Sequence, residues 1–376
     1  MTIQVLLLVV VGVFLAYANG ANDVSKGIAT LVGSGVTDYR RAIAWGTVWT
    51  AVGGVLGAVF GGAMLATFGN GLLAPGATPT FAAALAALIG AATWVLLATR
   101  TGLPVSTTHA LVGSLMGVAA TAYGVDGVRW SALGGKVFLP LLISPLASFL
   151  LTGLALRVSE GRRGSANAAD CLCADIEPAV VTVPASAAAS AALVPGTATL
   201  RLTTGTAEAC AISQPAALRL TLDHLHWLSS GMTSLARGMN DAPKMVALAL
   251  AAATLAPHDA FSPMALFTLV TVGMVVGSLC AGRRVTRVLA ENVTAMDHRE
   301  GFAANLVTAG LVTMGAIYGL PMSTTHVASG GIVGSGWERH ALNRKTLRDI
   351  ALAWIVTLPA AAMLGMAGYA VAKALL

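Results

Sequence analysis

Of the chain's 376 residues, 56% are hydrophobic and only 10% are charged, and the mean hydropathy is +0.78. A soluble globular protein carries about 25% charged residues, so the composition excludes a water-soluble enzyme or binding module. The formal charge of +6 does not point to nucleic acid, because Lys and Arg gather in short loops, where they orient membrane spans.

Apolar stretches of about 20 residues, enough to cross roughly 30 Å of hydrocarbon, recur along the chain. They predict helices at 3–33, 41–66, 80–99, 105–122 and 132–156, then at 224–256, 262–281, 302–319, 322–336 and 348–375. The first looks superficially like a signal peptide but lacks a basic leader, so it is read as the first span. Helices 3–33 and 224–256 are expected to be interrupted near Asn22 and Asn240, where Gly20 and Gly238 can break the helix and free main-chain carbonyls. Forty-two glycines indicate helices that approach closely. Between the two sets, 158–222 is rich in Ala, Thr, Pro and Ser without helical periodicity. That segment is expected to be a polar cytoplasmic loop, partly disordered. Cys171, Cys173, Cys210 and Cys280 show no disulfide framework. The Cys171-x-Cys173 pair lacks the second pair or nearby His that would make a metal site.

The chain repeats itself. "GANDVSKGIATL" at 20–31 is echoed by "GMNDAPKMVALAL" at 238–250, and "GLPVSTTHALVGSLMG" at 102–117 by "GLPMSTTHVASGGIVG" at 319–334. Asn22 and Asn240 are 218 positions apart, and Pro104 and Pro321 are 217 apart. A first transmembrane repeat over 1–157, the loop at 158–222 and a second repeat over 223–376 follow. Basic clusters stand at Arg40 and Arg41, at Arg157, Arg162 and Arg163, at Arg283, Arg284 and Arg287, and at Arg339, Arg344, Lys345 and Arg348. The loops near 67–79 and 257–263 carry little or no basic charge. With the basic loops in the cytoplasm, both termini lie outside and the two repeats have opposite orientations. The expected fold is an all-α polytopic membrane protein with inverted repeats, broken helices and re-entrant helical hairpins at 105–122 and 322–336.

Four motifs carry chemistry. Asn22, Asp23, Asn240 and Asp241 offer hard oxygen ligands of the kind a Na⁺ ion takes, and a carboxylate within the bilayer is functional by default. Pro104 and Pro321 suit helix starts. Ser106, Thr107 and Thr108, with Ser323, Thr324 and Thr325, follow in the first turns, where free N–H groups and hydroxyls attract a tetrahedral oxyanion. His109 and His326 complete these motifs and are read as neutral side chains bonded within the hairpins rather than as proton relays. No phosphate-binding loop, hydrolase arrangement, zinc spacing or haem motif is present, which implies a protein that is not an enzyme and carries no cofactor.

These duplicated signatures, together with "RRVTRVLAENVTAMDHREGFAANL" at 283–306, resemble the inorganic phosphate transporters of the PiT type over nearly the whole chain except the central loop. The resemblance implies a symporter that moves phosphate inward on a Na⁺ or H⁺ gradient, as a homodimer. It also implies that Asn22, Asn240 and the Ser-Thr-Thr runs contact phosphate while Asp23 and Asp241 hold coupling cations. The chain departs from the family's usual Asn-Asp-x-Ala-Asn: Lys26 and Lys244 stand where the second Asn would be. Each ammonium is expected to pair with Asp23 or Asp241, or with phosphate, in place of a cation. Two alternatives stay open: another oxyanion such as sulfate, or an anion channel or sensor on the same fold. Compact loops point to a prokaryotic plasma membrane.

Overall fold

The structure is a computed structural model that describes residues 3–161, 171–177, 180–181, 194–195, 199–206, 218–253, 262–337 and 342–375. Arg162, Arg163, Arg339, Cys210 and the loop at 254–261 lie outside the described residues. The chain divides into two compact units, 1–156 with 226–376, and 157–225.

The larger unit is helical. Its first part holds α1 (Ile3–Asp23), α2 (Ser25–Gly33), α3 (Tyr39–Phe60), α4 (Gly62–Ala66), α5 (Phe81–Thr101), α6 (Thr107–Tyr123), α7 (Trp130–Ala132) and α8 (Leu139–Gly161). Its second part holds α9 (Leu222–Ala253), α10 (Pro263–Ala281), α11 (Arg283–Arg287), α12 (His298–Ile317), α13 (Thr324–Gly336) and α14 (Arg344–Leu375). Among the described residues, seven helical segments are long and apolar enough to cross a membrane, so this is a multi-pass membrane protein. Large apolar side chains such as Leu142, Leu146, Leu150, Ile355 and Met363 are exposed along them, as expected of surfaces that face lipid.

The interior is built by helices from the two parts packing on one another: α1 against α10, α3 against α10, and α14 against α5 and α6. Glycines permit this. A Cβ on Gly20 would run into the carbonyl of Met274, and one on Gly277 into that of Tyr17. The same relation joins α9 to α3, where a Cβ on Gly238 would meet Thr50 O and one on Gly53 would meet Leu235 O. Gly20 and Gly238 therefore serve close backbone approach. They do not break their helices, contrary to the expectation. The first helix is interrupted later, at Val24, between α1 and α2. The expected interruption near Asn240 is absent, since α9 runs continuously from Leu222 to Ala253 with Pro243 inside it. Pro243 lacks the N–H that would bond back one turn, and the helix absorbs that loss without ending.

The smaller unit departs from the expected loop. β1 (Cys171–Glu177) pairs antiparallel with β4 (Thr199–Gly205) and β5 (Leu218–Thr221), and two short strands, β2 (Val180–Val181) and β3 (Val194–Pro195), pair with each other. The alternation in Thr-Leu-Arg-Leu-Thr (199–203) and Leu-Arg-Leu-Thr (218–221) has the period of two that a strand requires. Cys173 is disulfide-bonded while Cys171 is a free thiol, a departure at one cysteine from the expectation of no disulfide framework. The sulfurs of Cys171 and Cys173 lie 3.6 Å apart.

Candidate functional site

Each Ser-Thr-Thr run is positioned by the same local device. Gly102 (φ +81°) ends α5, and Gly319 (φ +66°) follows α12. Both sit in the left-handed region that favours glycine. A Leu-Pro pair follows each, and then Ser106 and Ser323 act as N-caps: their hydroxyls accept from the backbone N–H of His109 and His326, at 3.2 Å in both cases. The serines are thus occupied in starting α6 and α13.

The two tips cross. Thr325 Oγ1 donates to Val105 O at 2.7 Å, and Thr108 Oγ1 lies 3.5 Å from Met322 O. Thr108 and Thr325 occupy equivalent places in the duplicated motif, as do Val105 and Met322. Each tip holds the main chain of the other. His109 and His326 meet edge to face, with ring centroids 4.5 Å apart. Nδ1 of each ring is buried without a partner, so the expectation that these rings are bonded within their hairpins is not met at that nitrogen.

Against these tips lie the Asn-Asp pairs. Asp23 and Asp241 are almost wholly buried, as are Lys26 and Lys244. An ammonium has three N–H donors, and both ammoniums find three oxygens. Lys26 Nζ is 2.8 Å from Asn22 O, 2.6 Å from Asn22 Oδ1 and 2.8 Å from Asp23 Oδ1. Lys244 Nζ is 2.8 Å from Thr108 Oγ1, 3.1 Å from Asp241 Oδ1 and 3.2 Å from Met322 O. A main-chain carbonyl, a carboxylate and one further oxygen form a hard donor set of the kind that would also suit a small monovalent cation. Here covalently attached ammoniums fill it.

The remaining polar atoms are largely committed. Asn22 Nδ2 donates to Thr99 Oγ1 (3.0 Å) and Leu103 O (3.1 Å), and its Oδ1 also accepts from Val105 N (3.3 Å). Asn22 thus fastens the broken helix to the first tip. Asn240 Nδ2 donates to Asp241 Oδ1 (2.8 Å) and Met322 O (3.1 Å), fastening α9 to the second. Thr107 Oγ1 lies 3.1 Å from Asp23 Oδ2. Asn240 Oδ1 and Thr324 Oγ1 are buried without a partner. All twelve candidate residues therefore fall in one buried region: Asn22, Asp23, Lys26, Ser106, Thr107, Thr108, Asn240, Asp241, Lys244, Ser323, Thr324 and Thr325.

Two residues of this region escaped the sequence reading. Asn19 Nδ2 lies 2.9 Å from Asp23 Oδ2, 3.1 Å from Thr107 Oγ1 and 3.1 Å from Asp241 Oδ2, so its two N–H groups are shared among three acceptors. Arg237 is fully buried; its Nη1 reaches Asn19 Oδ1 at 3.3 Å and its Nη2 reaches Thr50 Oγ1 at 2.7 Å. The signal was available, since Asn19 and Arg237 are 218 positions apart, the spacing of Asn22 and Asn240. Because Asn and Arg are unlike residues, the match of position is not visible as a repeat of letters.

The chain is similar to known proteins over most of its length. The profile of the phosphate transporter family matches residues 19–365. A probable low-affinity inorganic phosphate transporter of Mycobacterium bovis is 28% identical over 97% of this chain and 77% of its own length. A putative phosphate permease of Haemophilus influenzae is 27% identical, with 94% of this chain and 93% of the relative covered. Inorganic phosphate transporter 2-1, chloroplastic, of Arabidopsis thaliana is also 27% identical, covering 94% of this chain and 70% of its own length. Among solved structures, one described as the sodium-dependent phosphate transporter shares the fold with a TM-score of 0.79 and 22% identity, each chain being covered completely.

Proposed function

Because the chain belongs to the phosphate transporter family, we propose that it carries inorganic phosphate across the membrane by cation-coupled symport. The observation that carries this reading is the meeting of the two motif copies. One amide, Asn19 Nδ2, lies within 3.1 Å of carboxylates drawn from both copies. Crossed Thr108 and Thr325 tips lie beside them. Phosphate would be received by the Thr hydroxyls and Asn side chains between the tips, and Asp23 and Asp241 would compensate the coupling charge.

Helix α13 has 13 residues, about 20 Å at 1.5 Å per residue, which is less than the hydrocarbon thickness. That length supports reading 105–122 and 322–336, which hold α6 and α13, as re-entrant hairpins in two oppositely oriented repeats. Alternating access would then tilt one repeat against the other around the fixed site. A homodimer in a prokaryotic plasma membrane remains part of this proposal.

For the coupling ion, the three-oxygen shells around Lys26 and Lys244 favour protons over sodium, although the structural neighbour is described as sodium-dependent. A place already held by an ammonium does not need a free cation to balance its Asp. Uptake of radiolabelled phosphate into proteoliposomes tests both statements. We expect accumulation driven by an inward proton gradient, undiminished when Na⁺ is replaced by choline between pH 5.5 and 8. No gradient-driven accumulation would remove the transport reading, and strict Na⁺ dependence would remove the role given to the lysines.

A further inference from the structure

The buried network does not balance its charges. Among the described residues it contains three cationic side chains, Lys26, Lys244 and Arg237, and two carboxylates, Asp23 and Asp241. Lys26 is paired with Asp23 at 2.8 Å and Lys244 with Asp241 at 3.1 Å. Among the described residues Arg237 makes no direct ion pair: its hydrogen-bond partners are the neutral Asn19 and Thr50, and the nearby charges of Asp23 and Asp241 are already engaged by the two lysines. A further buried carboxylate, Glu300, is engaged at the N-terminus of α12, where its Oε2 accepts from Asp297 N at 2.8 Å. Guanidinium Nε of Arg237 is buried and makes no hydrogen bond.

An uncompensated charge inside a membrane protein is strongly unfavourable and is tolerated where it serves a ligand. An unused N–H donor beside it is a second penalty of the same kind. Both are relieved by one event, the arrival of an anion. One residue, Asn19, links Arg237 to the region where that anion would sit: the guanidinium grips its Oδ1 at 3.3 Å, and its Nδ2 lies 3.1 Å from Thr107 Oγ1.

Resting on the transport reading above, we infer that Arg237 is a substrate-binding residue whose unbalanced guanidinium supplies the net positive charge that captures phosphate. The two Asp–Lys pairs are then close to self-neutralising, and the asymmetry between Asn19 and Arg237 makes the site an anion receptor. Arginine suits this role because its planar fork remains charged and can present two donors to one oxyanion.

The test compares KM for inorganic phosphate in proteoliposomes bearing wild type, Arg237→Gln, Arg237→Lys and Thr50→Asp. Glutamine keeps hydrogen-bonding capacity towards Thr50 and Asn19 but loses the charge, and KM is expected to rise about tenfold or more. Lysine keeps the charge, and KM should return to within about threefold of wild type. Thr50→Asp leaves the guanidinium in place but gives it a carboxylate partner, and KM should rise as it does for Arg237→Gln. It also decides the question if Arg237→Gln fails to reach the membrane. A merely structural arginine predicts the reverse: glutamine would serve as well as lysine, and Thr50→Asp would keep the wild-type KM. Either result overturns the inference. Failure of wild type to accumulate phosphate would instead overturn the transport reading on which it rests.

Discussion

Asp23 and Asp241, separated by 218 positions in the chain, share a hydrogen-bond donor: Nδ2 of Asn19 is 2.9 Å from Oδ2 of the first and 3.1 Å from Oδ2 of the second. Two carboxylates held this close repel each other unless donors lie between them. Asn19→Leu removes the shared donor at similar volume. Phosphate uptake should fall about tenfold or more, and uptake within twofold of wild type would deny Asn19 this bridging role.

The Asp23–Lys26 pair permits a cycle. Asp23→Asn leaves the buried Lys26 ammonium without its carboxylate, which costs about 3–5 kcal/mol in comparable buried pairs. Asp23→Asn/Lys26→Met removes both charges, and thermal stability in detergent should largely return. Phosphate uptake should return in neither. Active Asp23→Asn protein would defeat the role assigned to this carboxylate.

The crossed tips predict an inequality between matched residues. Thr325→Val removes a neutral hydrogen bond to Val105 O, worth about 0.5–1.5 kcal/mol. Thr108→Val also takes an acceptor from the Lys244 ammonium at 2.8 Å, and bonds to charged groups contribute about 1.5–3 kcal/mol. Thr108→Val should therefore lower the melting temperature further and raise KM more. Equal effects would mean that the Lys244 contact is unimportant.

Glycine substitutions should separate packing from mere helix propensity. A Cβ on Gly20 would collide with the Met274 carbonyl, whereas one on Gly12, in the same helix, meets nothing within 4 Å. Gly20→Ala should destabilise by about 1–3 kcal/mol through overpacking. Gly12→Ala should change stability by less than about 0.5 kcal/mol. Thermal melting of the two purified proteins checks the difference.

Outside the spans, Asp38 caps α3. Its carboxylate is held below the usual range by the backbone N–H of Arg41 and then of Arg40, with the two guanidinium charges adding to this. A depressed folded value means that the contribution is present above the unfolded value of about 3.9 and is lost as pH falls through the folded one. Asp38→Asn should flatten that acid-side decline while leaving stability at pH 7 little changed. An unaltered melting-temperature profile between pH 5 and 3 would refute the assignment.

Val24, where the first helix breaks, has no breaker character, whereas Pro243, which has it, lies inside a continuous helix. Local propensity did not decide either case, because packing against neighbouring helices outweighs it. The strands in 171–221 are not legible in the sequence because their pairing joins Cys171 to Gly205 and Thr221, a non-local choice.

From the sequence alone came membrane residence, the long apolar helices, the duplication and the twelve polar residues of the candidate site. These are legible because a bilayer imposes apolar length on each segment independently, and a polar residue within such a segment stands out where it occurs. Only the tertiary structure decided that Asn19 joins the two copies, that each tip secures the other, and that Arg237 makes no direct ion pair among the described residues. Those facts concern which buried group finds which partner, and hydrogen bonds and charge compensation in a low-dielectric interior are settled by distances between segments that the chain order does not contain.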